Sequence, residues 1–156
     1  MVSKKHIATL VEPVSDSFEV VQHRSVSHET MHDWINTAIE QGSTYWIEHV
    51  KVVAPNMAKR SILSELFDNG PARTWQEWVD SNEYCYSSEV PFFGGHLIIT
   101  ADGEEYTLDL KTIAKGVKLM AWKSGHHFDM IIDESGDSIT ADVLLQYCVL
   151  GDVIYG

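Results

Sequence analysis

The stretch His96-Leu97-Ile98-Ile99-Thr100-Ala101-Asp102-Gly103-Glu104-Glu105-Tyr106-Thr107-Leu108 decides the fold. Two β-prone runs flank Asp102-Gly103. That dipeptide suits a two-residue type I′ turn, in which both central residues take positive φ. The spacing therefore predicts a β-hairpin over 96–108. Asp109 follows directly and can cap a helix running to about Trp122, with Ile113, Ala114, Val117, Met120 and Ala121 as its buried side.

Working outward, Gly125 to Gly136 reads as a polar connection around the short apolar piece Met130-Ile131-Ile132. A last helix is expected from Ser138 or Thr140 through Leu150, closed by Gly151, with Val153-Ile154-Tyr155 as a short terminal strand. Upstream, Gly94-Gly95 gives backbone freedom after Pro91-Phe92-Phe93, and Tyr84 to Ser87 fits no single element. Thr74-Trp75-Gln76-Glu77 matches a capping box opening a short helix to about Asp80. Met57 to Phe67 predicts another helix, stopped by Asn69-Gly70-Pro71. Tyr45 to Val53 is rich in aromatic and β-branched residues and reads as a strand ended by Pro55. Met31, Trp34, Ile35, Ala38 and Ile39 recur at helical spacing. They predict a helix from about 28 to 41, with Ser27 as N-cap and Gly42 as C′ residue. His6 to Val11 and Phe18 to Arg24 are β-like, separated by Pro13. Strands and helices mix without a βαβ rhythm. The expected fold is a single α+β domain over 1–156, with a mixed or antiparallel sheet and three or four helices.

Charge narrows the partners. Eleven basic against 23 acidic residues give a net −12. Glu83 to Asp109 and Ser124 to Gly156 each hold six acidic residues and no Lys or Arg, while Lys111, Lys115, Lys118 and Lys123 lie between. Such a surface disfavours nucleic acid and anionic membranes and favours basic partners. The 44% hydrophobic content excludes a disordered acidic tail. No apolar run reaches membrane-spanning length, and Met1-Val2-Ser3-Lys4-Lys5 is followed by no apolar core of a signal peptide. Cys85 and Cys148 lack CxxC spacing and sit among apolar or aromatic neighbours, as buried free thiols of a reducing cytosol do.

The sharpest motif is His28-Glu29-Thr30-Met31-His32, a literal H-E-x-x-H. On a helix, histidines four apart share a face and can hold zinc, with Glu29 as general base. Its context argues against this. The motif opens the helix after Ser25-Val26-Ser27, Asp33 follows it, and only Glu48 and Glu65 offer a third ligand. A zinc hydrolase on His28 and His32 is thus an alternative reading. His126-His127 in a polar loop reads as two side chains pointing apart. Asp133-Glu134-Ser135-Gly136-Asp137 lacks the order of an EF-hand loop. There is no phosphate loop and no G-x-S-x-G. No cofactor is expected.

Trp75 and Trp78 would share a helix face, and Lys111, Lys115 and Lys118 form a stripe at i, i+4, i+7. With Tyr45 and Trp46 they offer stacking and phosphate contacts for a small ligand, such as a nucleotide signal held by a sponge protein.

Several segments carry a further signal: Ala38-Ile39-Glu40-Gln41-Gly42-Ser43-Thr44-Tyr45-Trp46, Gly94-Gly95-His96-Leu97-Ile98-Ile99, Tyr106-Thr107-Leu108 leading into the 111–120 helix, and Ile139-Thr140-Ala141-Asp142 through Gln146-Tyr147 to Gly151-Asp152-Val153-Ile154-Tyr155-Gly156. Their order and spacing resemble a family of small accessory proteins of phages, prophages and plasmids, over about residues 34–54 and 94–156. The resemblance implies an accessory gene of a mobile element acting in the cytoplasm of a bacterial host. It brings no catalytic residues and no requirement for the His28/His32 pair. In that setting the expected function is non-enzymatic: an acidic anti-defence inhibitor, of CRISPR or restriction type, placing carboxylates where a basic host protein or nucleoprotein complex receives phosphates. The expected contact residues are Asp102, Glu104 and Glu105 at the hairpin tip, and Asp133, Glu134 and Asp137 in the later loop. Homodimer formation is compatible with this reading.

Overall fold

Leu97, Ile99 and Ala101 are completely buried, while His96, Ile98 and Thr100 between them are only partly covered. This alternation follows the two-residue period of a strand with one face on the core. In the computed structural model, which describes residues 16–53 and 87–156, the strands are β1 (His49–Val53), β2 (His96–Ala101) and β3 (Glu104–Leu108). They form an antiparallel sheet in the order β1-β2-β3, with Val50 opposite Ile99 and Ile99 opposite Tyr106. Asp102 (φ 50°) and Gly103 (φ 75°) both lie in the left-handed region, so the hairpin closes as predicted.

Four α-helices complete the described α+β fold: α1 (His28–Thr37), α2 (Leu110–Lys123), α3 (Gly125–Ile132) and α4 (Ser138–Leu150). Ser27 caps α1, its Oγ accepting from Thr30 N at 3.1 Å. Asp109 and Thr112 form a reciprocal capping box on α2, and Asp137 and Thr140 do the same on α4. A 3-10 segment, Ser87–Phe93, leads into β2 through Gly94 (φ 90°). Helix α4 is buried all round from Thr140 to Cys148 and packs against α1, α2, α3 and β3. Ile35, Leu97, Ile99, Leu108, Met120, Ile131, Leu144 and Leu145 are wholly buried in the core. Among the described residues no helix is long and apolar enough to cross a membrane.

Several local expectations are corrected. Helix α1 does not end regularly at Gly42. It widens into a π turn, Ala38–Gly42, closed by Ser43 N donating to Ala38 O at 2.7 Å. Gly42 serves close approach rather than a left-handed cap: a Cβ there would lie 2.2 Å from the carbonyl oxygen of Ser138. Tyr45 and Trp46 lie in a turn and β1 begins only at His49, because the Tyr45 and Trp46 side chains serve contacts described below. Phe18 to Arg24 forms no strand, and Phe18, Val20 and Val21 are exposed. Residues 125–132 form a helix, since Phe128 and Ile131 fall three apart and both reach the core. On α2 the buried face is Ile113, Gly116 and Met120, while Ala114 and Ala121 are exposed. Residues 153–155 make no sheet. The strand at 6–11, the helices at 57–67 and 74–80, Cys85 and most of 84–87 lie outside the described residues.

Candidate functional site

Because α4 is buried on every side, its polar residues must find partners in the interior. Asp142, 6% exposed, is the most demanding of them. Four donors converge on its carboxylate: Ser43 Oγ, the Tyr45 hydroxyl and Trp46 Nε1, each at 2.7 Å, and Gln146 Nε2 at 3.0 Å. Three of the four come from the turn that follows the π segment. The extra residue per turn and the absence of a side chain at Gly42 bring that turn onto α4.

One helical turn on, Gln146 extends the network to the chain end. Its Oε1 accepts from Ile154 N and Tyr155 N at 2.8 Å, and its Nε2 donates to Tyr155 O at 2.9 Å. This side-chain clamp replaces the expected terminal strand. It sets the Tyr155 ring flat on Trp46, with centroids 5.4 Å apart and planes 6° from parallel.

The Tyr155 hydroxyl reaches the hairpin tip and donates to Asp102 Oδ2. Glu48 Oε1 accepts from Gly103 N at 3.2 Å, and the Tyr106 hydroxyl donates to Glu104 Oε2 at 3.3 Å. Strand alternation puts Glu48, Glu104 and Tyr106 on the same side of the sheet. Glu48, Asp102 and Glu104 thus gather around two phenols, and no Lys or Arg among the described residues forms an ion pair with any of them. The phenols register the charge. The hydrogen bond to Asp102, partial desolvation and the Asp102 charge push Tyr155 up to about 12. Tyr106 is raised by partial desolvation and by Glu104. Desolvation and the bond to Asp142 push Tyr45 up to about 12.

The residues singled out from the sequence separate in space. Asp102 and Glu104 join the tip cluster, but Glu105 points to the opposite face of the hairpin. Asp133, Glu134 and Asp137 lie in the connection between α3 and α4. There Asp137 is consumed as N-cap, accepting from Ile139 N at 3.0 Å and Thr140 N at 3.3 Å. Among the described residues no hydrogen bond joins this connection to the hairpin tip.

The aromatic and basic residues of the small-ligand reading are not assembled into one site. Trp46 is buried, with one ring face on Tyr155. Gln146, which neighbours Tyr45, lies roughly opposite Cys148 on α4, and Cys148 is the residue that packs on Gly116 of α2. Lys111, Lys115 and Lys118 are on the side of α2 turned away from α4, so α4 stands between them and Tyr45. Trp75 and Trp78 lie outside the described residues.

The H-E-x-x-H pair is divided as well. His32 is buried, its Nδ1 within 3.2 Å of Asp33 Oδ1 and its Nε2 within 3.0 Å of Ser88 Oγ, which also donates to Asn36. His28 is exposed, against the ring of Phe92 at 5.4 Å. Both nitrogens of His32 are engaged, Nδ1 with its neighbour on α1 and Nε2 with Ser88, which holds the 3-10 segment to α1. Among the described residues no group of three or more His, Cys, Asp or Glu could hold a metal ion. Glu48 is at the hairpin tip, and Glu65 lies outside the described residues. Cys148 is buried and unbridged, and burial pushes its thiol up to about 12.

Sequence reasoning missed Glu48, Tyr106 and Tyr155 at the tip, and Asp142 and Gln146 beneath it. One signal was present. Asp142 and Gln146 interrupt an otherwise apolar run at i, i+4 spacing, which places two polar groups on one face of a helix that must be buried. No protein-family model, curated protein or solved structure matches this chain.

Proposed function

We propose that the protein is a non-enzymatic binding protein that docks on a basic protein surface through its hairpin tip. One observation carries this reading: Glu48, Asp102 and Glu104 are gathered at a braced β-turn, bonded only to neutral donors. Their charge is left for a partner. Fixed carboxylates lose little conformational freedom on binding, which favours them over a flexible acidic loop. The phenols of Tyr106 and Tyr155 add rigid amphipathic contact area of the kind found at interface hot spots.

In the mobile-element setting that the sequence resemblance implies, the partner is a basic channel or groove of a host defence nuclease complex. The tip carboxylates substitute there for nucleic-acid phosphates, and the protein itself binds no nucleic acid. The contact set is narrower than the sequence suggested. Glu48, Asp102 and Glu104 form it, with Tyr106 and Tyr155, while Asp133, Glu134 and Asp137 are left out.

The test is affinity capture from bacterial host lysate by the full chain. The comparison is a variant carrying Glu48→Gln, Asp102→Asn and Glu104→Gln. The expected result is a basic nucleic-acid-binding complex that is released as salt rises and is recovered at least about tenfold less well by the variant. Equal recovery by both proteins, or recovery that salt does not affect, removes the reading.

A further inference from the structure

Between α2, α1, α3 and the 3-10 segment lies a groove of about 280 Å³. Its floor is apolar: Met31, Phe92, Ile113 and Phe128 are each less than a tenth exposed. Its wall is the face of α2 carrying Leu110, Ala114, Val117 and Ala121, which accounts for the exposure of Ala114 and Ala121. The volume is just below the roughly 300–1,000 Å³ of typical small-molecule sites.

The polar lining is of one kind. Arg24, His28 and Lys118 border the groove, and no carboxylate does, in a chain with 23 acidic residues. Arg24 is held at the mouth, its guanidinium 5.4 Å from the Phe128 ring centroid and its Nη1 2.8 Å from Asp129 Oδ1, which offsets its charge. Lys118 lies where the apolar face of α2 meets the Lys111/Lys115/Lys118 stripe. It makes no ion pair among the described residues. An occupant complementary to this lining has an apolar body and an anionic head.

We infer that the groove is a binding site for a small amphiphilic anion, whose apolar body lies on Phe92, Ile113, Val117 and Phe128 and whose head is met by Lys118 with Arg24 beside it. This site is separate from the hairpin tip. It uses α2, α1 with the segment before it, the 3-10 segment and α3, and its charge preference is opposite to that of the tip.

Octanoate, octanol and octyltrimethylammonium test the inference by calorimetric titration and thermal shift of the full chain. Octanoate is expected to bind one per chain, about five- to tenfold more tightly than octanol, with the cation weaker still. Lys118→Met should bring octanoate close to octanol while leaving octanol binding unchanged. Ala114→Trp, at an exposed position, should fill the groove and abolish binding of both without lowering the melting temperature. The inference is overturned if octanol binds as well as octanoate, or if Ala114→Trp binds octanoate like the unaltered protein. It is also overturned if octanoate does not bind, and a melting temperature lowered by Ala114→Trp then shows that the groove is filled within the folded chain.

Discussion

Trp46 Nε1 donates to Asp142 Oδ1 at 2.7 Å across 96 residues of sequence. Through this bond the turn after α1 is fixed to the central helix. The Tyr155 ring stacks on the same indole, so the end of the chain is fixed with it. The hairpin tip in turn rests on Tyr155 through Asp102. A buried carboxylate thereby sets the position of the exposed acidic face.

Asp142→Ala should destabilise the fold by about 3–5 kcal/mol, since it leaves buried donors of Ser43 and Trp46 without an acceptor. Urea unfolding followed by tryptophan fluorescence measures this. A loss under 1 kcal/mol would show that the network does not hold the turn and tail to α4.

Gly116→Ala should destabilise the fold and Gly125→Ala should not. A Cβ on Gly116 would lie 2.4 Å from Cys148 Cα, whereas nothing lies within 4 Å of one on Gly125. Helix propensity favours Ala by about 1 kcal/mol at Gly116, inside α2, and by less at Gly125, the first residue of α3. Overpacking at Gly116 should outweigh this and give a net loss of about 1–3 kcal/mol. Gly125→Ala should be neutral or slightly stabilising, and paired denaturation curves decide the comparison.

Gly103→Ala should cost about 1 kcal/mol, although the site is open, because φ is 75° and a Cβ is strained there. The loss should appear as faster amide exchange in β2 and β3 near the tip. Unchanged exchange there would count against the turn geometry.

Alkaline pH should weaken both the tip and the Asp142 network. Tyr45 and Tyr155 are pushed up to about 12, so they keep their protons in the folded state while an unfolded tyrosine loses its proton near 10. The stability they contribute is complete below about pH 10 and is lost as pH rises from there through 12. Phenolate absorbance should show Tyr45 and Tyr155 titrating late, with Tyr106 also raised, and Asp102→Asn should return Tyr155 towards the ordinary range. Titration of all the tyrosines near 10 would contradict the geometry.

Much of the framework was legible because it rests on short-range chemistry. Asp102-Gly103 specifies its turn, Ser27 and Asp109 cap their helices, and Gly151 ends α4 in the left-handed conformation. Each depends on a few adjacent residues whose preferences agree. Prediction failed where a distant partner overrode local preference. Tyr45 and Trp46 are strand formers drawn into a turn by Asp142. Ile154 is β-branched, yet its backbone N–H goes to a glutamine side chain. Phe18, Val20 and Val21 have the composition of a strand but pair with none among the described residues.

The site divides along the same line. The sequence by itself determined that the chain is acidic, that a hairpin carries Asp102 and Glu104 at its tip, and that α2 bears a row of lysines. These follow from composition and from the 2.0- and 3.6-residue periods of strand and helix. Tertiary structure alone decided which charges act together. It brought Glu48 to the tip from 54 residues earlier than Asp102, turned Glu105 to the other face, used Asp137 as a helix cap, and set Lys118 beside an apolar groove. The physical reason is that a carboxylate's local role depends on neighbours within a few ångströms. Those neighbours are supplied by packing around Asp142 and α4, between segments about a hundred residues apart.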